Sequence, residues 1–167
     1  MAADRGDRNA QFSLGNLTHS GGAKYGSEGV EIDHSQAIRW FRKAAEQGLA
    51  CAQFNHGTMY YGGAGTKQDY AEAVRWYRRA AEQGLDKAQV NLGKCYGAGE
   101  GVKQSYSKAE KWVRKAAEQG NADGQFHLAG IYQEGRGVQQ DDAEVVRWLS
   151  LAFEQGHAVA AAAAARL

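Results

Sequence analysis

Cysteine is scarce in this chain, net charge is almost nil, and no hydrophobic run approaches the length of a membrane span. Cys51 and Cys95 are the two cysteines, and they fall at different places in the pattern described below. Neither a disulfide framework nor a zinc cluster is expected from them, so both thiols read as free, which permits a reducing compartment. The 20 basic and 19 acidic residues leave a net charge of +1. Nucleic-acid binders concentrate lysine and arginine on one strongly positive face, so no nucleic-acid partner is expected. A membrane span needs about 18 or more consecutive apolar residues, and the chain has no such stretch. Its opening, MAADRGDRNAQF, lacks the basic-then-apolar plan of a secretory signal. The expectation is a soluble protein, cytoplasmic, or periplasmic if a signal peptide has been removed.

What the chain has is repetition. The phrase EQG ends at Gly48, Gly84, Gly120 and Gly156, always 36 residues apart, and a tryptophan keeps the same interval at Trp40, Trp76, Trp112 and Trp148. So strict a period is the signature of a repeat array. A 43% apolar content suffices for a folded interior, yet a 36-residue unit cannot bury a core alone and must share one with its neighbours.

The copy from Asp86 to Asn121 is the cleanest. Ala88, Leu92, Cys95 and Tyr96 lie on one stripe of an α-helix, called helix A; GAGEGV breaks the pattern with glycines; Ser105 opens helix B, whose face carries Ala109, Trp112, Val113 and Ala116. Asp33 with Gln36, Asp69 with Glu72 and Asp141 with Glu144 match capping boxes at the start of helix B. The EQG glycines suit the left-handed residue that closes a helix and turns the chain into the next unit. The template predicts repeats at 9–49, 50–85, 86–121 and 122–157, and a C-terminal capping helix at 158–167, all in one domain spanning 1–167. Repeat one carries about six extra residues between its helices, around THSGGAKY. Such an insertion is either a functional edge loop or an ordinary surface loop of small cost.

The phrases AQFNHGTMYYGGAG, AQVNLGKCYGAGEGV and GQFHLAGIYQEGRGV, each followed by a segment such as AVRWYRRAAEQG, AEKWVRKAAEQG or VVRWLSLAFEQG, resemble Sel-one-like repeats (SLR), relatives of the tetratricopeptide repeats. The resemblance runs from about Asn9 to the end. It implies an all-α, right-handed α/α superhelical solenoid of about four helix-loop-helix repeats, with A helices lining a concave surface. The proteins it resembles act as adaptors or scaffolds; bacterial ones include factors that engage host proteins and immunity proteins that block a toxic effector. Cysteine-rich relatives linked to cell-wall or β-lactam chemistry supply an alternative, an enzyme, but their typical disulfide pairs are missing here. His56 departs from the pattern by standing where Leu14, Leu92 and Leu128 stand, and Gly124 by replacing Ala52 and Ala88. These departures make the pattern a weaker guide to local packing in repeats two and four, and leave the fold expectation intact.

The four tryptophans are expected to pack in the core. The basic residues around them (Arg39, Arg75, Lys111, Arg147 and neighbours) are offset by Glu46, Glu82, Glu118 and Glu154 and read as a solvated face. His56, whose helical position points toward the core, reads as a satisfied or partly exposed histidine, and no metal site, cofactor or catalytic constellation is expected. The candidate binding surface is helix A away from its core stripe. There Phe12, Phe54, Val90 and Phe126 form an apolar ladder, expected to fill the seam between successive A helices. Beside it run Ser13, Asn55, Asn91 and His127, with Asn16, Thr58, Lys87 and Lys94 nearby. Asparagine both donates and accepts, which suits it to gripping a peptide backbone or a carboxylate. The predicted function is a non-catalytic scaffold or adaptor that holds a protein or peptide partner on this face, in the narrower case as an immunity protein inhibiting a secreted effector.

Overall fold

The computed structural model describes residues 2–20 and 32–160. These contain no strand; they form helices of 13 residues each: α1 (Arg8–Ser20), α2 (His34–Glu46), α3 (Ala50–Gly62), α4 (Tyr70–Glu82), α5 (Asp86–Ala98), α6 (Tyr106–Glu118), α7 (Ala122–Glu134) and α8 (Asp142–Glu154). The odd-numbered helices are the A helices and the even-numbered ones the B helices. The chain divides into two compact units, Met1–Gln83 and Gly84–Leu167. In the first, α1 pairs with α2 and α3 with α4, and α2 packs on α3; in the second, α5 pairs with α6 and α7 with α8, and α6 packs on α7. The all-α architecture of paired helices in register is the one the 36-residue period predicts.

Helix B begins where a side chain caps it. Asp33, Asp69 and Ser105 accept from the backbone N–H of Gln36, Glu72 and Lys108, and Asp141 accepts from Ala143 and Glu144. The reciprocal half of the expected capping box does not form at Asp33 and Asp69. Their own N–H groups donate instead to Thr18 O and Tyr60 O at 2.9 Å, and Ser105 N–H donates to Tyr96 O at the same distance. That bond ties the start of helix B to the last turn of helix A and closes the hairpin, which satisfies a free donor and a free acceptor together. At the far end Gly48, Gly84, Gly120 and Gly156 take φ from +78° to +91°, the left-handed conformation expected of them.

Small residues let the two helices of a pair approach. A Cβ on Gly15 would lie 2.6 Å from the Phe41 ring, and one on Gly93 would lie 2.5 Å from Val113 Cγ2. Gly124, which departs from the alanine of the pattern, works the same way: a Cβ there would sit 3.0 Å from Ala117 N, a tight contact with α6.

Paired glutamines tie the end of helix B to helix A of the same repeat. The glutamine of each EQG phrase donates its side-chain amide to a buried glutamine on its own helix A: Gln47 to Gln11 at 2.8 Å, Gln83 to Gln53 at 2.7 Å, Gln119 to Gln89 at 2.7 Å and Gln155 to Gln125 at 2.8 Å. Gln53 and Gln125 then donate to Ala45 O and Ala117 O, at the end of the preceding helix B. Those two pairs therefore span two repeats and add a second donor to a carbonyl that already accepts from Gly48 or Gly120 N–H at the helix end.

Core and edges follow from burial. In the second unit Val113, Ala117, Leu128, Ala129, Val145 and Trp148 form the apolar centre, and Ala160 joins it. Residues 158–160 are helical, in line with the start of the expected cap, and 161–167 lie outside the described residues. The expected loop in repeat one begins later than predicted: Thr18, His19 and Ser20 belong to α1, and Thr18 Oγ1 donates to Leu14 O at 2.8 Å. The remainder of that loop, 21–31, falls outside the described residues. Trp76 and Trp148 are buried, whereas Trp40 and Trp112 are half-buried, a correction to the expectation that all four lie in the core. The outer faces of those two rings are covered by Lys43 and Lys115, whose ammonium groups sit 4.3 Å and 4.5 Å from the ring centroids.

Candidate partner-binding face

In the first unit the predicted polar ladder is partly spent on the fold. Asn55 Nδ2 on α3 donates to Asn16 Oδ1 on α1 at 3.1 Å, which fixes both amides. Thr58 Oγ1 donates to Phe54 O and accepts from Tyr77 OH at 3.3 Å. Ser13 is exposed. Phe54 is half-buried with its ring 5.8 Å from Tyr77, and Phe12 lies 6.0 Å from Phe41. These rings lean on helix B of their own repeat; of the expected seam between A helices, only Phe12 contributes, through the cluster that includes Ala52 on α3.

In the second unit Lys87 and Lys94 are exposed and Asn91 is half-buried. Val90 is buried. Phe126 is half-buried and stacks on His157 at 4.8 Å. His157 Nε2 in turn meets Asp123 Oδ1 at 3.1 Å. His127 is half-buried, and its imidazole is pushed down to about 4, first by desolvation and then by the Lys94 charge. It is therefore neutral near pH 7.

A cavity of about 420 Å³ opens in this unit, within the range of small-ligand and side-chain pockets. Ala109, Val113 and Leu149 supply apolar lining, Tyr106 and Phe126 supply rings, and Lys94, His127 and Arg136 supply polar groups. Three of the predicted residues, Lys94, Phe126 and His127, thus meet in one pocket, while Lys87 and Asn91 do not line it.

The remaining reactive side chains are structural. Cys51 is exposed and Cys95 buried, both as free thiols, and desolvation pushes the Cys95 thiol up to about 11. His56 is 2% exposed, wedged edge-on against Tyr60 and Trp76 with ring centroids 5.1 Å and 4.9 Å away. Its Nδ1 is buried without a hydrogen-bond partner, so the ring is neither satisfied nor partly exposed as expected, and burial, then the Arg42 charge, holds the imidazole down at about 4. His19 and His34 come together at 5.1 Å, which the sequence did not foretell; no group of three or more potential metal ligands forms among the described residues. The basic stripe on helix B behaves as a solvated face, with pairs such as Arg42–Glu46 at 2.7 Å and Arg147–Glu144 at 3.1 Å. Among the described residues no helix is long and apolar enough to cross a membrane.

The family model for the Sel1 repeat matches residues 8–49, 52–85, 86–121 and 122–157. Among solved structures, c5321, described as a protective antigen of uropathogenic Escherichia coli with an SLR fold, is 42% identical with a TM-score of 0.87 over 95% of this chain. A Sel1 repeat protein from Oxalobacter formigenes is 34% identical, with a TM-score of 0.86 over 95% of the chain. The chain spans 33% of the first protein and 61% of the second. An immunity protein from Pseudomonas aeruginosa, Pa5087, shares the fold at 20% identity and a TM-score of 0.52, over 92% of this chain and 70% of its own. No curated protein matches the chain.

Proposed function

This chain belongs to the Sel1 repeat family, whose repeats are generally protein-interaction scaffolds, and on that premise we propose that it is a non-catalytic module that binds a protein or peptide partner on the uncovered side of its A helices. One observation carries the reading. Along these helices, hydrogen-bonding groups sit beside half-buried aromatic rings: Asn55, bonded to Asn16, follows Phe54 on α3, and Lys94 and His127 line one cavity with Phe126. Apolar anchors that exclude water, bordered by amides and a cation, are what a peptide-binding surface uses. The buried, protonated Cys95 thiol and the walled-in His56 point the same way, since neither is placed to attack a substrate or relay a proton.

The experiment is affinity purification of the partner from the native organism, followed by the double variant Asn55→Ala/Asn91→Ala, one substitution in each unit. The partner should be lost by tenfold or more, to order of magnitude, while far-ultraviolet circular dichroism stays unchanged. Undiminished binding removes the A-helix face from consideration. Inhibition of a secreted effector is the narrower form of the proposal. The immunity protein lends it a shared fold only, and the identity of the captured partner decides it.

A further inference from the structure

The cavity in the second unit lies where repeat two carries two more rings. Aligning repeats two and three at the 36-residue period sets Tyr61 against Gly97, Tyr77 against Val113 and Tyr70 against Tyr106. In repeat two these three tyrosines fill the site themselves, with Tyr61 5.0 Å from Tyr70 in an edge-to-face arrangement and 6.4 Å from Tyr77. In repeat three two of the rings are gone. Tyr106 keeps its place, 38% exposed and without a ring packed against it among the described residues. The opening is not closed from the far side, because Gly130 stands where repeat three has Lys94, and a Cβ there would meet nothing within 4 Å.

The rim carries two cations, Lys94 and Arg136, and one carboxylate, Glu134, which leaves Lys94 as its uncompensated charge. Lys94 is exposed and has no ion pair among the described residues; Arg136 lies with its guanidinium 5.7 Å from the Tyr106 ring centroid and pairs with Glu134 at 2.6 Å. Resting on the partner-binding reading above, we propose that this cavity receives one aromatic side chain, phenylalanine or tyrosine, from an acidic segment of the protein partner. The incoming ring restores the edge-to-face packing on Tyr106 that Tyr61 makes on Tyr70 in repeat two. A carboxylate beside it in sequence reaches Lys94. Repeat two is thus the internal template for the bound state of repeat three.

The test uses the full chain, isotope-labelled for amide NMR, titrated with the peptide Ac-Gly-Asp-Phe-Asp-Gly-NH2. Saturable shifts of the Gly93, Gly97 and Gly130 amides are expected. The same peptide with alanine for phenylalanine should bind on the order of tenfold to a hundredfold more weakly, the worth of burying one ring, and one with lysine for both aspartates should also be weaker. Gly97→Tyr should refill the cavity as repeat two does and abolish the shifts, while Gly97→Ala should leave them, since a Cβ at 97 has only Ala109 Cβ, at 3.8 Å, nearby. Should Gly97→Tyr fail to fold, Lys94→Glu decides: it should weaken the aspartate peptide and not the lysine one. The proposal is overturned by an unchanged spectrum at about 10 mM peptide, by equal binding of the alanine peptide, by a folded Gly97→Tyr that still binds, or by Lys94→Glu that makes no distinction. Any of these outcomes removes the anchor pocket and leaves the scaffold reading to stand or fall on the Asn55/Asn91 variant.

Discussion

Replacing His56 with leucine should stabilise the protein, and more so in mild acid. His56 occupies the position that Leu92 and Leu128 fill in later repeats, both fully buried. At neutral pH the native state carries a buried Nδ1 with no partner, a fault that costs about 1–3 kcal/mol. Leucine removes it at similar volume but gives up the edge-on ring contacts with Tyr60 and Trp76, worth about 0.5–1.5 kcal/mol. The net gain near pH 7 is about 1 kcal/mol. Acid adds a second contribution. The folded imidazole titrates at about 4 against 6.5 for a free one, so between these values the unfolded chain holds the proton and the native state does not. Stability conferred by the neutral ring is complete above about pH 6.5 and is lost as pH falls toward 4, by roughly 1.4 kcal/mol per unit. At pH 5 this amounts to about 2 kcal/mol, so His56→Leu should gain about 3 kcal/mol there. Urea denaturation of both proteins at pH 7 and pH 5 measures it, and the difference between them isolates His56 from His127, which titrates in the same direction. A variant less stable than the parent at pH 7, or a gain that does not grow on acidification, refutes the argument.

Other substitutions separate the remaining parts of the account. Trp76→Ala should cost about 3–5 kcal/mol in urea melts and Trp40→Ala clearly less, because only the first ring is buried; equal losses would mean burial does not set the cost. Gln53→Ala removes the bonds to both Gln83 and Ala45 O while Gln83→Ala removes only the first, so it should lower stability by about 1–2 kcal/mol and by more than Gln83→Ala does. Gly65→Ala should be far worse than Gly84→Ala in thermal melts. Both positions have positive φ, yet a Cβ at 65 collides with the His34 carbonyl while one at 84 meets nothing within 4 Å.

The helices, their glycine ends and their N-caps were legible because each depends on neighbours in sequence. Asp69 reads as a cap from its place before a periodic stretch, and Gly84 as a turn from its place after one. The second half of the capping box was misread because the N–H of Asp69 has a better acceptor in Tyr60 O, which only the closed hairpin supplies. The glutamine pairs were available as recurring letters, Gln53 with Gln83 and Gln125 with Gln155, but nothing along the chain says that residues 30 apart meet. Of the candidate face, helical geometry alone groups Lys94, Phe126 and His127, which border one cavity. The cavity itself was not legible, since it is made of what Gly97 and Val113 lack, visible only once Tyr61 and Tyr77 are seen packed in the preceding repeat.

Site-specific photo-crosslinking to the captured partner tests the central claim most directly. A photoreactive side chain placed singly at the exposed positions Ser13, Thr58, Lys87 or Lys94 on the A helices should couple to the partner, and one at Arg39, Arg75, Lys111 or Arg147 on the exposed stripe of the B helices should not. Crosslinks confined to the second set would contradict it.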